Sequence, residues 1–168
     1  MTIEEQAEDE ASLRSIIRSK DFLLLYMISC CHMFYGYYII NMFKTLGAET
    51  IHDDYYLTIV GSVGSLFDGV SRICWSSLLD YYPFNLVYRT LLVIQIFLIA
   101  LLLWSTHYPF LYMIVISLSM MCEGAMTSIL PTETLTHFKE KRGHQIYGYM
   151  FSSFGVSALL GSLIVRVF

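Results

Sequence analysis

The sequence predicts an all-α integral membrane protein, a bundle of about five transmembrane helices, and three observations lead there. Hydrophobic residues make up 56% of the chain and charged residues only 14%, against roughly 25% charged in a soluble domain whose surface must be solvated. The apolar residues gather into runs long enough to cross a bilayer core, which takes roughly 20 residues per helix. The runs are continuous, whereas barrel strands would show strict alternation in segments of about ten residues.

The elements follow in order. Residues 1–20 form a cytoplasmic segment that opens on the acids Glu4, Glu5, Glu8, Asp9 and Glu10, a stretch that reads as a solvated tail. Residues 13–20 then alternate apolar and basic positions. That pattern suits a short helix lying in the inner membrane interface, or simply a basic flank that sets topology. The transmembrane helical domain, residues 21–168, carries spans at about 22–43, 55–79, 87–105, 109–130 and 145–165. Between them lie a polar loop at 47–54, a turn at 81–86, a short link at 106–108 and a charged loop at 132–144.

Lys and Arg orient the bundle. With the N-terminus cytoplasmic, the inner side receives Arg14, Arg18, Lys20, Arg89, Lys139, Lys141 and Arg142, and the outer side only Lys44 and Arg166. This is the asymmetry of the positive-inside rule. The expectation is an integral, multi-pass membrane protein with its N-terminus in the cytoplasm and the lipid bilayer as its solvent.

Several function classes lose support. No basic patch favours nucleic acid. The cysteines Cys30, Cys31, Cys74 and Cys122 sit in apolar runs without ligand spacing, so no metal is expected. No G-x-S-x-G elbow, HExxH pair or phosphate-cradling loop occurs. Neither a catalytic site nor a cofactor is expected, and the five histidines are scattered.

The informative residues are charges inside the spans. Asp68 and Arg72 lie within the second apolar run, four residues apart, which puts them on one helix face within pairing distance. A charge at mid-bilayer costs on the order of 3 kcal/mol on insertion scales and is tolerated facing other helices or a water-filled cavity. Two readings stand. The pair neutralises itself inside the bundle, or Arg72 binds an anionic substrate while Asp68 exchanges a proton. Glu123, in the fourth run, is a second candidate for proton coupling or an interhelical hydrogen-bonding group. Ser152 and Ser153, in the fifth, either face the substrate or bond between helices. Gly61, Ser65 and Gly69 form a small-residue stripe that admits close helix packing.

The stretch Gly61-Ser62-Val63-Gly64-Ser65-Leu66-Phe67-Asp68-Gly69-Val70-Ser71-Arg72-Ile73-Cys74-Trp75-Ser76-Ser77-Leu78-Leu79-Asp80 resembles the eighth span of major facilitator superfamily transporters. It is most similar to the monocarboxylate transporter and oxalate/formate antiporter branch. Ser19-Lys20-Asp21-Phe22 resembles the start of that branch's seventh span. Gly124 through Pro131, with Gly148 and Gly155, is similar to its tenth and eleventh spans. The resemblance implies a partial major facilitator fold, about spans seven to eleven of the C-terminal half. It also implies transport of a small anionic solute, a monocarboxylate, linked to protons by symport or antiport. Arg72, with Ser152 and Ser153, would bind substrate; Asp68 and Glu123 would couple protons.

The sequence departs from the pattern at Tyr81-Tyr82-Pro83-Phe84, where the superfamily carries a basic, Gly-containing loop. It departs again at Phe154, where oxalate/formate antiporters carry Lys, and this argues against a dianion. Superfamily members enclose the site between two halves of about six spans. Five spans therefore imply a fragment needing the missing N-terminal half or other membrane subunits as partners. The alternative is a non-transporting structural subunit derived from such a transporter.

Overall fold

The computed structural model describes Leu13, residues 15–138 and residues 140–167. The acidic tail, Arg14 and Lys139 lie outside the described residues, as do the side chains of Lys141, Arg142 and Arg166. Residues 15–17 are helical, ahead of a turn at Arg18. Five helices then fill the chain: α1 (Lys20–Ala48), α2 (Asp54–Leu79), α3 (Phe84–Ser105), α4 (Pro109–Phe138) and α5 (Glu140–Val167). Each is long and apolar enough to cross a membrane, and no strand occurs among the described residues. The fold class read from the sequence is the one observed.

Local chemistry sets the helix starts. Ser19 Oγ accepts from the Phe22 backbone N–H at 3.2 Å ahead of α1. Asp53 caps α2, its Oδ1 accepting from the Tyr56 N–H at 3.1 Å. Such caps satisfy amides that have no intrahelical partner. Pro83 precedes α3 with φ −66°, a geometry its ring imposes and a helix start tolerates.

The helices overrun the apolar runs. α1 continues to Ala48, past the expected end near residue 43, and α4 continues to Phe138, past 130. Pro131 sits inside α4, where a soluble helix would break or kink. In a membrane helix, neighbouring hydroxyls re-satisfy the backbone that proline disturbs. Here the ring removes the N–H that the Thr127 carbonyl would have received, and α4 nevertheless runs on to Phe138. The charged stretch expected as a loop at 132–144 is therefore mostly helix.

The chain divides into two compact units, Met1–Phe34 with Glu133–Phe168, and Tyr35–Thr132. In the first, a hydroxyl seam joins α1 to α5. Ser29 Oγ and Ser153 Oγ lie 2.8 Å apart, and Tyr26 Oη and Ser152 Oγ 3.1 Å apart. The Ser157 hydroxyl is 2.8 Å from both the Cys30 and Ser153 carbonyls and donates its single proton to one of them. Gly143 lets α5 approach α4: a Cβ there would stand 2.8 Å from Leu135 Cα.

The second unit holds the larger core. Ile39, Leu57, Val60, Leu91, Leu98, Tyr112, Ile116 and Ile129 are buried there from four helices. Polar groups tie one end of it, where the α1–α2 and α3–α4 connections meet. Tyr56 Oη donates to the Pro109 carbonyl at 2.8 Å and Thr50 Oγ1 to the Thr106 carbonyl at 2.7 Å. Tyr112 Oη donates to the Phe43 carbonyl.

Candidate charged site on the second span

At about 100° per residue, α2 presents three faces. Leu57, Val60, Gly64, Ser71 and Trp75 are buried on one. Leu66, Phe67, Val70 and Ile73 are exposed on a second, which suits lipid. The third carries Thr58, Ser62, Ser65, Asp68 and Arg72, with Gly61 and Gly69. A polar face of this kind is tolerated in a membrane only against water or protein.

Asp68 lies about 21 Å along α2 from Asp54, at 1.5 Å rise per residue. Arg72 is one turn further towards Leu79. Its Nη2 donates to Asp68 Oδ2 at 2.9 Å, with the arginine side chain 52% exposed and the aspartate 27%. The pair is thus formed, and its cation stays open on one side.

Glycines seat the acids. Gly124 of α4 lies under the Asp68 carboxylate and the Ser71 hydroxyl, and a Cβ there would also stand 2.6 Å from the Asp68 carbonyl oxygen. Glu123, 8% exposed, places its carboxyl against Gly36 of α1 and lies within electrostatic reach of Asp68 and Arg72. Gly64 is covered by Met120, and Trp75 Nε1 donates to the Met121 carbonyl at 3.2 Å. The two neighbours Glu123 and Gly124 therefore connect α1 and α2 through α4.

A cavity of about 320 Å³ runs along the polar face. Ile40, Phe43 and Lys44 of α1, Met120 of α4, and Thr58, Gly61, Ser62, Ser65 and Asp68 of α2 line it. Lys44 stands at one end and Asp68 at the other, about 15 Å apart along α2 by helical rise from Thr58.

The structure brings Asp68, Arg72 and Glu123 into one cluster. Ser152 and Ser153 belong to the other unit, where they bond to Tyr26 and Ser29. Of the small residues expected to pack, Gly61 meets the Phe43 ring, with a Cβ position 2.8 Å from its Cζ. Ser65 donates to the Gly61 carbonyl of its own helix at 2.9 Å and lines the cavity. A Cβ at Gly69 would meet nothing within 4 Å among the described residues beyond its own helix backbone. Besides Gly61, close approaches fall at Gly36, Gly47, Gly64 and Gly124. Spacing along one helix does not reveal these, since each is made by a side chain from another. Lys44, Thr58 and Ser62 were equally hidden as site residues, although the spacing of 58, 62, 65, 68 and 72 is a stripe that can be read.

Gly69→Ala is expected to leave thermal stability unchanged or slightly raised, since alanine favours helix by up to about 1 kcal/mol over glycine. A thermal melt of the detergent-solubilised chain checks this. A loss of more than a few degrees would mean that a helix from a partner packs on Gly69.

The family model of the Major Facilitator Superfamily matches residues 2–162 of the chain. No curated protein and no solved structure matches it.

Proposed function

The chain belongs to the major facilitator superfamily, a family of membrane transporters, and on that premise we propose that it carries a small monocarboxylate across the membrane together with a proton. In this reading it acts as the C-terminal half of the pathway, about spans seven to eleven. Partner helices, from an N-terminal half or from other membrane subunits, close the other side. The N-terminus is cytoplasmic, and the loop at 47–54 faces out.

One observation carries the reading: a formed Asp68–Arg72 ion pair whose guanidinium is half exposed on the polar face of an otherwise apolar span. Guanidinium binds carboxylate through paired N–H donors, and Asp68 occupies it through one oxygen at 2.9 Å. A solute carboxylate competes for the same donors. Asp68, parted from its cation inside the membrane, is then neutralised by a proton, because an uncompensated charge there is costly. Solute and proton thus enter together. Glu123, within reach of both residues, is the second proton-linked group. Phe154 in place of a lysine fits a solute with a single negative charge.

The test is pyruvate uptake into vesicles containing the chain and its co-purifying membrane partners. Accumulation driven by an acid-outside gradient is expected, and collapsing the gradient should remove it. Uptake indifferent to the gradient would remove proton linkage. No uptake of any small carboxylate would favour the non-transporting subunit, in which the ion pair only neutralises itself.

Topology has its own check. A tag at the N-terminus should be protected in intact cells, and a single cysteine introduced at Glu49 should react with a membrane-impermeant maleimide. Labelling of position 49 only after permeabilisation would invert the orientation.

A further inference from the structure

The charge at the far end of the cavity from Asp68 belongs to Lys44, and nothing in the transport reading uses it. Its ammonium has three donors. Thr58 Oγ1 takes one at 2.9 Å, while the nearest carboxylate oxygen, Asp54 Oδ1, lies at 3.6 Å, outside hydrogen-bond range. Both members of that ion pair are exposed, Lys44 by 46%, and exposed pairs of this kind are weak and screened by salt. Lys44 is therefore held loosely, with donors to spare and a cavity in front of it.

The hydroxyls behind it are differently disposed. Thr58 donates to the Asp54 carbonyl, Ser62 to the Thr58 carbonyl and Ser65 to the Gly61 carbonyl, each at 2.9 Å. Their protons are committed to their own helix, so the wall between Lys44 and Asp68 offers oxygen lone pairs. Along this cavity the donors an anion needs come from Lys44.

We propose that Lys44 forms a second anion site, at the Ala48 end of the cavity, which takes a small carboxylate before it reaches Arg72. Binding exchanges the long Asp54 contact for the ligand's carboxylate while Thr58 keeps the ammonium aimed into the cavity. The proposal rests on the reading of the solute as a small carboxylate, but it is a statement about binding and has a readout of its own.

The experiment is equilibrium binding of radiolabelled pyruvate to the solubilised chain with its co-purifying partners, with uptake measured in parallel. Lys44→Gln is expected to weaken pyruvate binding about tenfold, the loss appearing as raised KM with kcat kept, and Lys44→Arg is expected to restore most of it. Asp54→Asn, which removes the competitor, should tighten binding. Unchanged affinity in Lys44→Gln, or no measurable pyruvate binding by the unsubstituted protein, would overturn the site. Lys44-dependent binding without gradient-driven uptake would keep the site and sink the transport reading. Thermal melts of all three variants should match the parent, since the residues are exposed; a Lys44→Gln protein that melts early would assign Lys44 to helix packing and overturn the proposal.

Discussion

Arg72→Ala is expected to lower carboxylate uptake by on the order of a hundredfold or more, the range in which losing one member of a charge-assisted pair falls. Two things disappear together. The solute loses the guanidinium that offers its carboxylate paired donors, and Asp68 loses the cation that holds it at 2.9 Å. Arg72→Lys separates these effects, because lysine keeps the charge but not the planar fork. It should keep Asp68 paired and recover only part of the uptake. Asp68→Asn should behave differently, preserving size and hydrogen bonding while removing the titrating group. Exchange of solute against solute should survive it, and accumulation against a gradient should fail. Variants with parental uptake and pH dependence would make the pair structural.

Gly124→Leu should prevent the second unit from forming. Overpacking a fitted interior costs about 1–3 kcal/mol and sometimes more, and Gly124 faces backbone, which yields less readily than a side-chain tip. The Asp68 carbonyl oxygen stands 2.6 Å from its Cβ position, so α2 and α4 would have to separate, carrying Trp75 away from the Met121 carbonyl. Gly124→Ala should already lower the melting temperature, although alanine is the better helix former. Gly36→Ala should be milder, since the atoms nearest its Cβ position belong to the end of the Glu123 side chain rather than to backbone. The melts should rank Gly124→Leu below Gly124→Ala, and Gly124→Ala below Gly36→Ala. A Gly124→Leu protein that melts with the parent would show that α2 and α4 do not pack there.

The five helices were legible because bilayer thickness imposes a length on every apolar run, and a run of that length has little other use. Their ends were less so. The extension of α4 through Pro131 escapes a boundary drawn at the proline, because a membrane helix tolerates proline in its interior. Within the site, Asp68 and Arg72 announced themselves by rarity and by their spacing of four. The glycines did not, because Gly36, Gly64 and Gly124 matter for what stands opposite them, and facing partners 53 to 87 positions away leave no local pattern. Gly61 and Gly69 belonged to a visible pattern, yet a Cβ at Gly69 would meet no neighbouring helix among the described residues within 4 Å. Lys44 was hidden by its place just past the outer end of an apolar run, where a flanking lysine draws no notice.

The ion pair on α2 has a consequence for biogenesis. On insertion scales a mid-helix arginine or aspartate each opposes entry into the bilayer by about 3 kcal/mol, and each leucine or isoleucine favours it by roughly 0.5 kcal/mol. Unpaired, the two charges would offset the apolar side chains of the span or outweigh them. Paired one turn apart on the same helix, they neutralise each other before any neighbour has arrived. α2 therefore carries its own counter-ion through the translocon, and the order in which its partners assemble is freed from the need to shield it.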